Sequence, residues 1–176
     1  VGTVYLGEEG GGIAVSIPPR ITGPEPIPDR IVIGNNIIAF NTSGIFETLT
    51  TPMVPPTLIK NDVYNTGANY IYLSAGATDI NVDPQFVNRS GGDLRLLSTS
   101  PAIDTGNNSL APTSTSIDYW GNPRISDGDR NGIATVDMGA YEFYGMQPGA
   151  VDFDGDRKAD IAVWRTGTGV WYKLSS

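Results

Sequence analysis

The chain has 176 residues, and its 19 acidic and 11 basic side chains give a formal net charge of −8 without any Cys or His. The missing Cys and His exclude a disulfide framework, Cys/His metal sites and Ser-His-Asp or Cys-His catalysis. The excess of acid argues against a nucleic-acid partner, which needs clustered Lys and Arg. No apolar run of about 18 residues is present, so we expect no membrane span in this segment.

The negative charge is unevenly distributed along the chain. There are 14 Asp against 5 Glu, and seven of the Asp lie between residues 127 and 160. Asp suits tight turns and the ligation of hard cations, whereas Glu favours helices. The charge is therefore either a local cation-binding device or a consequence of many turns in a helix-poor protein.

The apolar residues come in short β-branched runs bounded by Gly, Asn, Pro or Ser, which is the pattern of strands. Such runs begin at 1–6 and continue at 13–17, 31–33, 37–40, 57–59, 70–73 and 161–164. No segment has a helical stripe, so the pattern predicts an all-β chain. The Pro-rich stretch near 18–28 cannot pair centrally in a sheet and is expected to be an excursion from the core.

Two segments repeat one another. Residues 34–44 read GNNIIAFNTSG and residues 60–67 read KNDVYNTG, so Asn36 and Asn61 hold equivalent positions in the two copies. The spacing between these two Asn is close to one coil of a β-solenoid, in which an Asn hydrogen-bonds to its counterpart in the next coil. The alternative is that these Asn and Gly are turn residues between hairpin strands.

Several motifs in a fixed order strengthen the solenoid interpretation. NNIIAFNTSGI, PTLIKNDVYNTGANY, DPQFVN, GGDLRLLSTSPAIDTGN, IDYWGNPR and VDMGAYEF together resemble the C-terminal part of bacterial right-handed parallel β-helix proteins with a choice-of-anchor Q domain. The resemblance covers about residues 31–143. It implies terminal coils of the helix over 1–82 and a secreted or surface-attached protein without enzymatic activity in this region.

Residues 83–144 are expected to form the C-terminal cap of that β-helix. An exposed solenoid end leaves strand edges and apolar interior unprotected, so it needs a cover. We expect strands near 86 and over 93–96, a buried strand inside 100–106, and a last strand at 137–143. Turn or cap roles are expected for the carboxylates of Asp83, Asp93, Asp104 and Asp118. Further coils are expected before residue 1.

An acidic loop with regular spacing occupies residues 152–160. Carboxylates at loop positions 1, 3, 5 and 9, with a backbone carbonyl at position 7, supply the hard oxygens that Ca²⁺ requires. The expected ligands are Asp152, Asp154, Asp156, Lys158 (through its carbonyl) and Asp160. The alternative is a solvated Asp-rich turn.

The residues after this loop read as a β-hairpin, IAVWR, TGTG and VWYKL. Residues 151–176 thus resemble part of an FG-GAP (or VCBS) repeat, joined through a linker at 145–150. In that family the matching Asp residues bind Ca²⁺, which makes calcium the implied cofactor. Arg157 stands where Gly is common, a departure that removes no ligand. Further blades are expected beyond residue 176.

A second candidate calcium loop begins at Asp127. Its oxygens would come from Asp127, Asp129, Asn131, Ile133 (through its carbonyl) and Asp137, as in the first half of an EF-hand loop. Position 12 of the loop is Met138, which departs from that pattern. A plain Asx-rich turn is the alternative.

These observations favour a non-catalytic, calcium-stabilised scaffold or adhesion segment, secreted or at the cell surface, that presents binding faces for carbohydrate or protein. The alternative is the C-terminal portion of a β-helix polysaccharide lyase or glycoside hydrolase with its active site upstream. Such enzymes need neither His nor Cys, so composition does not decide whether the whole protein is an enzyme.

Overall fold

A computed structural model describes residues 3–5, 11–16, 31–47, 55–111, 117–145 and 161–174. The chain divides into two compact units, Val1–Phe143 and Tyr144–Ser176. The described residues are all-β and contain no α-helix. The Pro-rich stretch near 18–28 and the acidic loop 152–160 lie outside the described residues, so their predicted roles stay predictions.

The strands are short, and most coincide with the β-branched runs of the sequence. In chain order they are β1 (Thr3–Tyr5), β2 (Gly11–Ser16), β3 (Val32–Gly34), β4 (Ile37–Ala39), β5 (Ser43–Glu47), β6 (Thr57–Ile59), β7 (Asp62–Tyr64), β8 (Tyr70–Ile71), β9 (Phe86–Asn88), β10 (Asp93–Leu96), β11 (Ile125–Ser126), β12 (Thr135–Val136), β13 (Ile161–Arg165) and β14 (Val170–Leu174). Two short 3-10 helices are Arg89–Gly91 and Asn108–Leu110.

Three small sheets of parallel pairs organise the first part of the chain. β3 pairs with β6, β4 pairs with β7, and β5 pairs with β8, and the offset between paired residues is the same in all three. β2 joins β5 in parallel and β1 in antiparallel orientation. A constant offset across three different sheets means that consecutive segments of equal length lie against one another in register.

One hydrophobic cluster fills the space between these sheets. Side chains alternate across a strand, and most of those that point inward here are aliphatic, although Glu47 and Asp62 are also buried. Burying an aliphatic side chain completely stabilises the fold by about 1.5–3 kcal/mol. The buried members are Val15, Ile33, Ile38, Ile45, Leu58 and Val63.

Asn side chains run along the stacked segments, as the repeat predicts. Asn36 Nδ2 donates to Asn61 Oδ1 at 3.0 Å, and Asn61 Nδ2 donates to Asp79 Oδ1 at 3.0 Å. Beside this row, Asn41 Nδ2 donates to Asn65 Oδ1 at 3.2 Å. The predicted contact between Asn36 and Asn61 is confirmed.

Aromatic rings also stack between neighbouring segments. Tyr64 meets Phe40 edge-on at a centroid distance of 5.6 Å, and Tyr72 meets Phe46 edge-on at 5.7 Å. Both contacts join aromatic residues of neighbouring segments edge-to-face.

The described residues between 80 and 143 contain little regular structure. β9 pairs with β10 and β11 pairs with β12, both antiparallel, and a second cluster of Leu96, Ala102, Ile103 and Met138 is buried beneath the turns. The strands predicted near 86 and over 93–96 are confirmed.

Two strands predicted in this region are not formed, so both predictions are wrong. Ala102 and Ile103 are buried in a turn, and residues 137–143 form no strand. At the end of the segment 137–143, carboxylates satisfy the backbone in place of a neighbouring strand. The N–H of Phe143 donates to Asp137 Oδ2, and the N–H of Glu142 donates to Asp118 Oδ2. Buried N–H groups need acceptors, but those acceptors need not belong to a strand.

Apart from residues 144 and 145, the second unit is described only as the hairpin β13–β14. Its strands pair from Ile161 with Leu174 to Arg165 with Val170, around a turn at 166–169. Trp164 faces Trp171 across the strands at a centroid distance of 5.4 Å. The hairpin predicted after the acidic loop is confirmed.

Candidate metal centre

The loop between β11 and β12 carries most of the second predicted calcium sequence. Its short polar side chains fold it locally, since each accepts an N–H from further along the loop. Asp127 Oδ2 accepts from the Gly132 N–H at 2.9 Å, Asp129 Oδ1 accepts from the Asn131 N–H at 2.9 Å, and Asn131 Oδ1 accepts from the Ile133 N–H at 2.8 Å. These bonds hold the Asp127 and Asp129 carboxylates in place on one loop.

Asp104 completes a group of three carboxylates with this loop. It ends the turn at 101–104, where its backbone has a φ of 51°, and its Oδ2 accepts from the Asp129 N–H at 2.6 Å. Carboxylate oxygens of Asp104, Asp127 and Asp129 all lie within 4.8 Å of one another. The loop passes close to Phe143 at Gly128, where a Cβ would collide with the Phe143 carbonyl oxygen.

The electrostatics of this group are unfavourable without a cation. Two carboxylates at this separation repel by about 1–3 kcal/mol at effective dielectrics between water and the protein surface. Neither ion pair within the described residues, Arg95–Asp93 or Arg124–Glu142, reaches the group. Burial raises the pKa of Asp104, and the nearby Asp129 carboxylate raises it as well, although the N–H groups of Asp129 and Gly128 oppose the shift.

One oxygen of the group lacks a partner. Asp104 Oδ1 is buried and accepts no hydrogen bond, whereas Oδ2 of the same carboxylate is bonded. A buried carboxylate oxygen without a donor or cation is costly, so native proteins rarely leave one. Three convergent carboxylates with a vacant lone pair are the donor set that hard, oxygen-seeking cations take.

The structure separates the residues of the predicted second loop. Asp127 and Asp129 lie in the carboxylate group, while the Asn131 side chain is engaged with Ile133 N–H and, through Nδ2, with Asp129 Oδ2 at 3.0 Å. The Ile133 side chain is exposed. Asp137 lies behind the group, where its Oδ1 accepts from the Asp104 N–H at 2.7 Å. It therefore orients Asp104 from the inner side.

The first predicted loop lies outside the described residues. This applies to all five of its expected ligands, namely Asp152, Asp154, Asp156, Lys158 and Asp160. Their calcium role stays a prediction.

Behind the carboxylate group lies a pair of buried acids. Glu142 is 1% exposed and both of its oxygens accept from the Asp137 N–H, at 3.3 and 3.0 Å, while Arg124 Nη1 lies 3.2 Å from Oε1. Burial raises the pKa of Glu142 to about 8, and the Asp137 carboxylate adds to the rise. Burial likewise raises the pKa of Asp137 to about 7. Arg124 opposes both shifts without reversing them.

Asp118 has the contrasting environment. Burial acts to raise its pKa, but hydrogen bonds from the N–H groups of Glu142, Asn122 and Trp120 outweigh it and hold the pKa below 3.8. Its expected role as a turn carboxylate is confirmed, since it caps the turn at 119–120. Asp83 and Asp93 also accept N–H groups two residues ahead, from Gln85 and Arg95.

Sequence reasoning assigned Asp104 a turn role and missed its place in the carboxylate group. Asp104 lies far ahead of Asp129 in the chain, and no local spacing connects the two. Ala102, in the turn that ends at Asp104, and Met138, which follows the loop, pack into one buried cluster. The place of Asp104 in the carboxylate group could therefore be recognised only from the tertiary structure.

No protein family, curated protein or solved structure matches this chain. Within the described residues, no helix has the length and apolar character needed to cross a membrane.

Proposed function

We propose that the chain is a calcium-stabilised, non-catalytic scaffold segment of a secreted or cell-surface protein. It comprises terminal coils of a right-handed parallel β-helix, a choice-of-anchor Q-type cap over 83–144, and a calcium-binding FG-GAP-type repeat over 151–176. The observation that carries the proposal is the group of Asp104, Asp127 and Asp129 with an unpartnered buried oxygen.

The β-helix assignment is supported by the constant offset of the parallel pairs. Three different sheets pair residues at the same separation along the chain, which is what three faces of one coil would produce. The row from Asn36 through Asn61 to Asp79 runs in the same direction as this stacking. A hairpin arrangement would instead pair consecutive strands in antiparallel orientation.

Calcium is the cation that fits the carboxylate group best. The group offers only oxygen donors, and Ca²⁺ accepts six to eight of them in a flexible geometry. Mg²⁺ demands a stricter octahedron and retains more water, so three carboxylates on a loop and a turn suit it less. Bound Ca²⁺ would neutralise the mutual repulsion and link the turn at 101–104 to the loop at 127–134.

A Ca²⁺ link between the turn at 101–104 and the loop at 127–134 supports a scaffold role. It fixes two loops of the cap that share little regular structure, much as disulfides do in other extracellular domains. The outer surface is then free to present binding faces for carbohydrate or protein. No observation on the described residues favours the lyase or hydrolase alternative.

The test is thermal unfolding of the full chain with and without calcium. We expect 1 mM Ca²⁺ to raise the Tm relative to EDTA, since a cation at 100 times its Kd stabilises by about 2.7 kcal/mol. Asp104→Asn should remove part of the shift, and Asp154→Asn should remove the part contributed by the first loop. Asp83→Asn is the matched control.

Equal Tm values in Ca²⁺, Mg²⁺ and EDTA would contradict the proposal. If Asp104→Asn and Asp83→Asn leave the calcium-dependent rise in Tm equally intact, calcium binding at the carboxylate group of the cap is contradicted.

A further inference from the structure

A buried carboxylate interrupts a row of isoleucines that faces the cap proposed over 83–144. Asp62, on β7, pairs with Ile37 on one side and forms a bridge to Ile80 on the other, both in parallel register. Paired residues of neighbouring strands project from the same face, so these three side chains lie side by side. Ile37 and Ile80 pack against the second buried cluster, which belongs to the cap. Asp62 therefore occupies a position in this contact that its neighbours fill with apolar groups.

Asp62 lacks the partners that a buried charge usually has. It is 0% exposed, and its Oδ1 accepts from the Val82 N–H at 3.2 Å. Its Oδ2 is buried and has no hydrogen-bond partner, and neither ion pair in the described part of the chain includes Asp62. Buried carboxylates are ordinarily paired or fully hydrogen-bonded, because the ionised form loses its hydration. The neutral acid therefore fits this position better than the carboxylate does.

The titratable groups that face Asp62 give it no positive counter-charge. Burial raises the pKa of Asp62 to about 6, the Val82 N–H opposes the rise, and the Asp83 carboxylate adds to it. Tyr70 on β8 also faces Asp62, but burial raises the pKa of its hydroxyl, which donates to Asp79, so Tyr70 stays uncharged. The other elements around the row, β4 and the buried cluster of the cap, contribute apolar side chains.

We propose that Asp62 makes the contact between β7 and the cap sensitive to pH, so that the cap is held more firmly as the medium becomes acidic. The protonated side chain joins the apolar contact while its Oδ1 keeps the Val82 N–H. The ionised side chain gains hydration by reaching water, which requires the chain around Ile80 and Val82 to lift away from β7. The device uses none of the calcium ligands, so it acts whether or not calcium binds.

The direction of the response follows from the preference of the buried side chain for its proton. The contribution of Asp62 to stability is fully present below its ordinary pKa of 3.8 and is lost as the pH rises to about 6. Between pH 5 and pH 7.5, an acid with these two pKa values makes opening of the contact about tenfold more frequent. Opening at this contact should therefore be rarer at pH 5 than at pH 7.5.

Amide hydrogen exchange of the full chain, followed by NMR in EDTA, measures this opening at the N–H groups of Ile80 and Val82. We expect their protection, corrected for the intrinsic pH dependence of exchange, to be at least about tenfold lower at pH 7.5 than at pH 5. Asp62→Leu, which continues the isoleucine row, should remove about that tenfold difference. Asp62→Asn should do the same while keeping an acceptor for the Val82 N–H, so it replaces Asp62→Leu if the latter does not fold.

Asp93→Asn is the matched control, because it removes an acid of the cap that lies outside the isoleucine row and should leave the pH difference unchanged. The proposal is overturned if the parent chain is equally protected at both pH values, or if the Asp62 variants retain the parent's difference. A Glu142→Gln variant that abolishes the difference by itself would also overturn it, since the response would then belong to the acids behind the carboxylate group.

Discussion

Asn36 donates both its backbone N–H and its side-chain Nδ2–H to Asn61 Oδ1, at 3.2 and 3.0 Å. Asn61 repeats the arrangement, since its own N–H and Nδ2–H both reach Asp79 Oδ1 at 3.0 Å. One amide side chain thus accepts from the preceding segment and donates to the following one. The row ends at Asp79, a carboxylate that accepts without needing to donate further.

Replacing Asn61 should destabilise the first unit strongly. Asn61 is fully buried, and Asn61→Ala leaves the N–H of Asn36, the Ile33 carbonyl and Asp79 Oδ1 short of partners. An unsatisfied buried polar group costs about 1–3 kcal/mol, so we expect a loss of at least about 3 kcal/mol. Urea unfolding measures it. Asn81→Ala, on an exposed residue, should change the free energy by less than about 0.5 kcal/mol.

Asp79 should not tolerate its amide isostere. Its Oδ1 accepts from Asn61, and its Oδ2 accepts from the Tyr70 hydroxyl at 3.0 Å and the Gly76 N–H at 3.1 Å. In Asp79→Asn the side-chain NH₂ faces donors whichever way it is turned, so we expect a loss of about 1–3 kcal/mol. Tyr70→Phe, which removes one donor, should cost less. Equal stability of Asp79→Asn and the parent chain in urea would refute this account of the row's end.

Stability should fall as the pH rises through the range in which Glu142 ionises. Its pKa is about 8 in the folded chain against 4.5 ordinarily, so the folded state binds the proton more tightly. This contribution is fully present below pH 4.5 and is lost progressively up to about pH 8, with a slope of at most about 1.4 kcal/mol per pH unit.

Glu142→Gln should reduce that dependence without abolishing it, because the amide has no proton to lose, while Asp62 and Asp137, whose pKa values burial raises to about 6 and 7, keep their own contributions. Urea unfolding in metal-free buffer at pH 5, 6.5 and 8 measures the slope. A Glu142→Gln variant that retains the parent slope would show that ionisation of Glu142 does not cause it.

The aliphatic cluster between the parallel sheets should be sensitive to cavities. Ile45 is 0% exposed, and Ile45→Ala should cost about 2–5 kcal/mol through lost burial and the void that remains. Val163→Ala, on a residue that is 58% exposed in the hairpin unit, should cost less than about 0.5 kcal/mol. Differential scanning calorimetry measures the loss of stability in both variants. Similar losses for the two would contradict the placement of Ile45 in the core.

The repeat and the strands could be predicted from the sequence because both depend on local order. β-branched runs bounded by turn residues marked β3, β4 and β6, and the equivalence of Asn36 and Asn61 marked the stacking. The segment 137–143 was predicted to be the last strand of the cap. That prediction failed because Asp118 and Asp137 supply acceptors that a neighbouring strand would otherwise provide.

The sequence by itself determined an all-β chain, its internal repeat, and the Asp-rich loop at 127–134, since spacing along the chain decides which side chains share a strand face or a turn. Only the tertiary structure decided which carboxylates meet. Asp104 joins Asp127 and Asp129, while Asp137 turns inward to the backbone of Asp104. Those contacts depend on packing between a turn and a loop that are distant in the sequence. The residue spacing within the turn or within the loop does not predict that packing.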